Sequence, residues 1–287
     1  MKRALKRTAF AAWLALIVLW MVFPFHYALV TSLQTGTALF EPALLPHAPT
    51  LDNYRALFLR EYFPTNIANS ALLAAGVVAI SLAAGVFAAW ALGRVDFRGR
   101  RTLLLAILAV SMFPQVAVLS GMYQMFIAAR EFLQEQFAIE WTRPWSLAWL
   151  AFSYTLFTLP FTVWTLTAYL RAVPQELEDA ARIDGAGYAT IVRRVYLPVL
   201  RPALVTTGLM AFVATWNEFL FALSFTSREP ERTATVAIAM IAGVADFQVP
   251  WGMIMAAAVI VTLPVLALVF VFQRRLVAGL MAGAVKG

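Results

Sequence analysis

Six long apolar stretches organise this chain, at about residues 9–33, 67–92, 103–129, 146–170, 203–226 and 252–272. A helix needs roughly 20 apolar residues to cross a hydrocarbon core, and each stretch is long enough. None of them contains Lys or Arg. The 22 basic residues therefore lie in the flanks, and they alternate. Sixteen fall before the first stretch, between the second and third, between the fourth and fifth, and after the sixth. The other six, Arg55, Arg60, Arg130, Arg143, Arg228 and Arg232, are spread over the longer opposite loops. Cytoplasmic flanks of membrane helices carry the excess of Lys and Arg, so both ends of the chain are expected in the cytoplasm. The pattern predicts an all-α membrane protein with six transmembrane helices. A short N-terminal segment, 1–8, leads to the first helix at 9–33 and an external loop at 34–66. A helical core at 67–273 carries a cytoplasmic loop at 171–202 and an external loop at 227–251, and a cytoplasmic tail follows at 274–287.

Composition supports a lipid solvent. The 287 residues are 62% hydrophobic and 13% charged, with a mean hydropathy of +0.78. A soluble domain averages about 45–50% apolar and about 25% charged. The net charge of +7 could suggest nucleic acid, but its alternation between flanks makes it a mark of topology. No nucleic-acid partner is expected. Cysteine is absent, which excludes disulfides, thiolate metal sites and cysteine nucleophiles. His26 and His47 are isolated, so no metal site is suggested. The first stretch follows a basic segment as a signal peptide would, yet it exceeds the usual apolar core and no clear A-x-A site follows; it reads as a retained helix.

Small residues recur through 71–93, among them Gly76, Ala83, Ala84 and Gly85, as expected where membrane helices approach closely. Pro24, Pro114, Pro160 and Pro264 fall within spans and are expected to kink them. Trp141, Trp145, Trp149 and Trp251 lie near the outer ends, where interfacial aromatics collect.

The loop at 171–202 carries its own helix signals. Pro174 suits a first turn, Glu176, Glu178 and Asp179 complement the positive end of a helix dipole, and Gly185 supplies a stop. A helix of roughly ten residues is predicted, with Leu177, Ala180, Ala181 and Asp184 on one narrow face. A second short helix can run from Ala189 toward Tyr196, with Ile191, Val192 and Val195 apolar and Arg193 and Arg194 polar. Pro198 and Pro202 bound the entry to the fifth span. Pattern alone fits two readings equally, an amphipathic hairpin on the membrane surface and a docking surface for a cytoplasmic protein.

Asp179, Ala180 and Ala181, followed by Gly185 and then by Leu197 and Pro198, resemble the EAA loop of ABC-importer permeases. Asp179 stands where that pattern has Glu, and Val195 where it has Ile. Asp184, Gly185 and Ala186 resemble the carbohydrate branch, as do Trp216 to Phe219, the tail at 273–287 and the weaker Leu51 to Tyr54. The chain is thus similar end to end to the maltose-permease G-subunit type. The resemblance implies the type I ABC importer (MetI-like) permease fold. It implies that Glu178, Asp179, Ala180, Ala181, Asp184, Gly185, Ala186, Leu197 and Pro198 form the element coupling this chain to an ABC ATPase. It nominates Gly283, Ala284, Val285, Lys286 and Gly287 as a tail that reaches the ATPase dimer. The outer loop at 227–250 would insert toward a binding protein's sugar site, where the residues alone read as a plain connection. The chain has no G-x-x-x-x-G-K-S/T of its own, so ATP and Mg would be bound by the ATPase, with no cofactor on this chain. The implied partners are a second, different permease subunit, an ABC ATPase dimer, an external solute-binding protein, the sugar and membrane lipid. In the resembling family much of the sugar site in the membrane lies on the other permease. An α-linked disaccharide such as maltose or trehalose is the implied substrate.

Glu218 is the only acidic residue within a span, and with Asn217 it is the candidate pathway residue, because an acid in lipid is costly. It lies 15 residues beyond Ala203, about 22 Å along a helix. That depth also fits a wet Glu bonded to Asn217 or a neighbouring helix. Asn69, Gln115 and Gln124 read as bonds between helices. Two other classes would leave different marks. An ion-coupled secondary transporter would show matching halves and midplane ionisable groups, and an intramembrane enzyme would need paired acid and base groups in the spans. Neither pattern is present.

Overall fold

The computed structural model describes residues 2–41, 43–243 and 249–284. These are helical, with no strand among them. In chain order the helices are α1 Lys2–Ser32, α2 Asp52–Leu59, α3 Phe63–Arg94, α4 Arg100–Ser111, α5 Gln115–Phe137, α6 Arg143–Ala172, α7 Glu176–Ile183, α8 Tyr188–Ile191, α9 Leu197–Val199, α10 Arg201–Trp216, α11 Leu220–Phe225, α12 Ala234–Gly243 and α13 Trp251–Ala284. Helices α1, α3, α6 and α13 are each long and apolar enough to cross a membrane. Two further spans exist if each of two bent pairs counts as one, α4 with α5 at 90° and the stretch Tyr188–Val199 with α10 at 77°. The six apolar stretches are therefore present, but two are broken rather than continuous.

The breaks have local causes. Pro114 takes extended backbone and has no amide to continue the ladder of α4, so the chain turns over Met112 to Pro114 instead of kinking. The fifth stretch, expected to continue to 226, stops at Trp216 and restarts at Leu220. By contrast, Pro160 is accommodated inside α6. There the hydroxyls of Ser153, Thr155, Thr158, Thr162 and Thr167 bond back to carbonyls four residues earlier at 2.6–3.0 Å. Such bonds keep side-chain polar groups satisfied in a solvent that offers none.

The chain divides into two compact units, Met1–Pro64 with Ala237–Pro264 and Thr65–Val236 with Val265–Gly287. In the first, Asn53 donates to the carbonyls of Ser32 and Gln34 at 2.9 and 2.8 Å, and the hydroxyls of Ser32 and Tyr54 meet at 2.7 Å. Gly252 is required beside Asn53, since a Cβ there would fall 2.6 Å from its Nδ2.

The second unit is built around α6, which packs against α4, α10 and α11. Close approach to α3 runs through two glycines. A Cβ on Gly85 would lie 2.6 Å from Thr162 Cγ2, and one on Gly93 3.2 Å from Leu170 Cδ2. Gly208 brings α10 to within a similar distance of Leu82 on α3. Between these contacts the hydroxyls of Ser81 and Thr158 bond at 2.8 Å. Gly76, picked out by the same composition, faces no neighbour within 4 Å. The tryptophans around the start of α6 form a packed aromatic group. Trp141 and Trp149 stand 5.1 and 5.8 Å from Phe126 of α5, and Trp149 also meets Phe225 of α11.

Candidate functional site

The loop at 171–202 folds as α7, a tight turn, α8, one wide helical turn at Val192–Tyr196, and α9. The turn after α7 is set by Gly185, whose φ of +79° lies in the left-handed region. The amide of Ala186 bonds to the carbonyl of Ala181 at 2.9 Å and that of Gly185 to Arg182 at 3.0 Å, the paired bonds that close a helix on a left-handed glycine. Pro198 lacks the amide that would bond back to Arg194 and crowds its carbonyl. The wide turn lies just before it.

The narrow face expected of α7 is mostly left open, and the hairpin buries a different side. Leu177 is 45% exposed, Ile183 is 86% exposed, and Ala180 and Asp184 are also open to solvent. The residue turned inward is Glu178, at 5% exposure. The cause is a polar clasp. The Tyr196 hydroxyl donates to Glu178 Oε2, and Arg182 donates to Oε1 at 2.6 and 3.1 Å. The Arg94 guanidinium lies 5.5 Å over the Tyr196 ring and donates to the carbonyls of Leu170 and Val173 at the end of α6. Arg171 donates in return to Leu92 on α3 at 3.0 Å. Arg182 also covers the Tyr188 ring, which meets Trp90 edge-on at 5.4 Å. Burial pushes the Glu178 carboxyl up, but the bonds from Tyr196 and Arg182 and the charges of Arg182 and Arg94 outweigh it and hold it below the ordinary carboxylate value.

Beneath the clasp, Ile191, Val192 and Tyr196 bury against Val86 and Ala89 of α3 and Leu166 and Leu170 of α6. Ala181, Ala186 and Leu197 pack at its edge, while Asp179 and Pro198 are exposed. The hairpin is thus a rigid body fixed to the ends of α3 and α6, with Leu177, Asp179, Ala180, Ile183 and Asp184 left outward. Arg94 and Tyr196, which sequence reasoning did not select, hold it there. The signal for them was faint, an Arg ending one span and a Tyr beside two outward Arg residues.

Glu218 sits at the break between α10 and α11. Its carboxylate accepts the amides of Phe221 at 2.8 Å and Ala222 at 3.1 Å, capping α11, and Thr235 donates to its carbonyl at 2.8 Å. The depth reckoned along one straight helix therefore does not apply. Asn217 is exposed and donates back to Val213. A cavity of about 460 Å³ opens between the α4–α5 break, α6 and the α10–α11 break, and Glu218 lies in its wall. Gln115 also lines it, rather than bonding between helices, whereas Gln124 is exposed. Asn69, fully buried, joins three elements: it donates to Pro230 and Arg232 at 2.9 and 2.8 Å and accepts from Arg143 at 2.9 Å. This pins the start of the loop expected at 227–251, in which residues 244–248 lie outside the described set. In the tail, Gly283 and Ala284 end α13, and Val285, Lys286 and Gly287 lie outside the described residues.

The chain is similar to known proteins over its whole length. The family model described as binding-protein-dependent transport system inner membrane component matches residues 81–281. A trehalose transport system permease protein of Mycobacterium tuberculosis is 34% identical, over 99% of each chain. A trehalose/maltose transport system permease protein of Thermococcus litoralis is 33% identical, over 100% of this chain and 99% of its own. Among solved structures, a bacterial ABC transporter involved in import of the acidic polysaccharide alginate superimposes with a TM-score of 0.78 at 21% identity, over 96% of this chain and 97% of that one.

Proposed function

The chain belongs to the family of binding-protein-dependent transport system inner membrane components, and from this premise we propose that it is one of two permease subunits of an ATP-driven sugar importer. It is a multi-pass inner-membrane protein with the permease fold of ABC importers. Its α7 is the coupling helix, seated on a cytoplasmic ABC ATPase dimer that binds ATP and Mg. Its outer side meets an external solute-binding protein, and a second, different permease completes the pathway. The names of the relatives favour a disaccharide of the trehalose or maltose kind over other solutes.

One observation carries the coupling assignment. The clasp and the apolar layer beneath it fix α7 to α3 and α6, while its outer row of Leu177, Ala180 and Ile183 stays uncovered beside Asp179 and Asp184. A short rigid helix attached to two long ones turns closure of a docked partner into rigid-body movement of the spans. The flanking Arg residues at 171, 182, 193, 194 and 201 favour the cytoplasmic side for this loop. The described end of α13 is compatible with a tail that reaches the same partner.

The test is co-purification with the cognate ATPase alongside uptake of labelled trehalose. Ile183→Asp changes a side chain that is 86% exposed and leaves folding intact, yet it should reduce both binding and uptake. Gly185→Val forces a β-branched residue into positive φ and should do the same more severely. If Ile183→Asp and Gly185→Val both left ATPase binding and uptake unchanged, the coupling assignment would be wrong.

A further inference from the structure

The coupling hairpin is joined to two spans by the chain itself. Helix α6 ends at Ala172 and α7 begins at Glu176, while α9 ends at Val199 and α10 begins at Arg201. Helix α3 has no such link. Its Val86 and Ala89 share one buried layer with Leu166, Leu170, Ile191 and Tyr196, and Gly93 lets Leu170 approach closely. Apolar burial is non-directional, and packed helices can slide past one another by small shears. Directional bonds are needed to hold α3 in register. Two arginines supply them, and they cross. Arg94, the last residue of α3, donates to the carbonyls of Leu170 and Val173 at 2.9 and 2.5 Å. Arg171, next to last in α6, donates to the carbonyl of Leu92 at 3.0 Å. All three carbonyls lie at a helix C-terminus, which carries the negative end of the helix dipole and draws cations. Each helix thus supplies a cation to its neighbour's end. Arg94 also lies 5.5 Å over the Tyr196 ring, so one guanidinium meets both α6 and the clasp.

We propose that Arg94 and Arg171 are positioning residues that carry movement of the coupling hairpin into α3, so that three spans rather than two respond to the ATPase. The proposal rests on the coupling reading of α7 and names how its movement reaches a span to which the hairpin is not tethered. Crossed bonds between two helix ends resist both sliding and rotation of one end against the other, which a single bond would not. A guanidinium suits the task because it is planar, always charged and offers its donors in a fixed fork. A Lys at either position would keep the charge but present only a flexible point.

The test places Arg94→Gln and Arg171→Gln in the assembled importer in liposomes and reads ATP hydrolysed per labelled trehalose taken up. Neither residue belongs to the outer row of α7, so co-purification with the ATPase should be unchanged. Both variants should raise the ratio roughly two- to thirtyfold, the span over which mutations along a coupling network act. Arg94→Lys and Arg171→Lys should restore it only in part. Arg171→Gln is the decisive variant, because Arg171 has no bond to the clasp among the described residues. A role confined to holding the hairpin would raise the ratio for Arg94→Gln alone. A merely structural role would lower the yield of importer and leave the ratio per complex unchanged. A second arm needs neither partner nor sugar. The chain has no cysteine, so spin labels at Leu72→Cys on α3 and Ile183→Cys on α7, both exposed, report one distance in the purified chain. That distance should be narrowly distributed, and Arg94→Gln and Arg171→Gln should each broaden it. An unchanged ratio in both variants, an effect of Arg94→Gln alone, or an unchanged distribution would overturn the proposal. If the wild type neither binds an ATPase nor takes up trehalose, the importer reading fails instead, and the spin-label distance still decides whether these residues fix α3 to the hairpin.

Discussion

Replacing Tyr196 by Phe removes one oxygen from the centre of the clasp and nothing else. The ring stays, so the apolar contacts of a side chain that is 1% exposed are retained, as is the seat for Arg94. What is lost is a hydrogen bond to a carboxylate that is 5% exposed. A bond to a charged group contributes about 1.5–3 kcal/mol, because the acceptor left behind is neither paired nor hydrated. The second donor to Glu178, Arg182, has 47% of its side chain in solvent. Solvent screens that pair, and exposed i,i+4 ion pairs are weak. Tyr196→Phe should therefore destabilise the chain by about 2 kcal/mol, and Arg182→Gln by clearly less, although Arg182 makes the greater number of contacts.

The assay is a double-mutant cycle with Glu178→Gln, read from unfolding in detergent micelles. Residues in direct contact give coupling energies that distant ones do not. Tyr196→Phe in the Glu178→Gln background should cost about 1 kcal/mol less than in the wild type, since the remaining partner is uncharged. Coupling below about 0.5 kcal/mol, or a larger loss from Arg182→Gln than from Tyr196→Phe, would refute the reasoning, because either would place the weight of the clasp on its exposed half.

The same carboxylate gives a pH signature. Its folded value lies below the ordinary one of about 4.3, so its contribution is complete above that pH and fades as pH falls through the lowered value; melting scans should show the gap between wild type and Glu178→Gln narrowing on acidification, and a widening gap would reverse the sign. Gly85→Ala, whose Cβ would fall 2.6 Å from Thr162 Cγ2, should cost about 1–3 kcal/mol by overpacking, whereas Gly76→Ala meets nothing within 4 Å and should be neutral or stabilising by thermal melt. Asn69→Leu breaks three bonds to the outer loop and Arg143; limited trypsin digestion should cut faster at Arg228 or Arg232, and unchanged cleavage would show that Asn69 does not hold the loop.

The spans and the turn at Gly185 were legible in the sequence because their causes are local. A run of apolar residues needs no partner to declare itself, and a glycine placed after an acidic-to-basic helix marks a stop by its own conformational freedom. The inward face of α7 was not legible, because amphipathic pattern assumes that apolar residues turn in. Here the inward residue is Glu178, turned by Tyr196 and Arg182, with Arg94 behind them more than eighty positions earlier in the chain. The breaks escaped for a related reason. Pro160 and Pro114 look alike in sequence, yet one sits inside a helix and the other ends a turn of 90°. The helix continues through Pro160, whereas the backbone at Pro114 is extended. The cavity drew on three breaks and helices at once, so no single periodicity could announce it.

The clasp and the cavity lie at opposite ends of one helix. Tyr196 and Pro198 precede α10, and Thr215 and Glu218 close it. Its 16 residues span about 24 Å. Both ends are articulated, by the 77° bend before Arg201 and by the break at Asn217 to Phe219. Between them the helix packs on α6 and, through Gly208, on α3. A load applied at the clasp would therefore reach the cavity along a stiff rod with a joint at either end. The two sites differ accordingly in how their polar groups are satisfied. At the loop, Glu178 has two donors and is held in one arrangement. At the cavity, the Thr215 hydroxyl is left without a partner. A contact held by two donors passes a displacement on as rigid-body movement, whereas a hydroxyl with no fixed partner leaves that wall free to adjust.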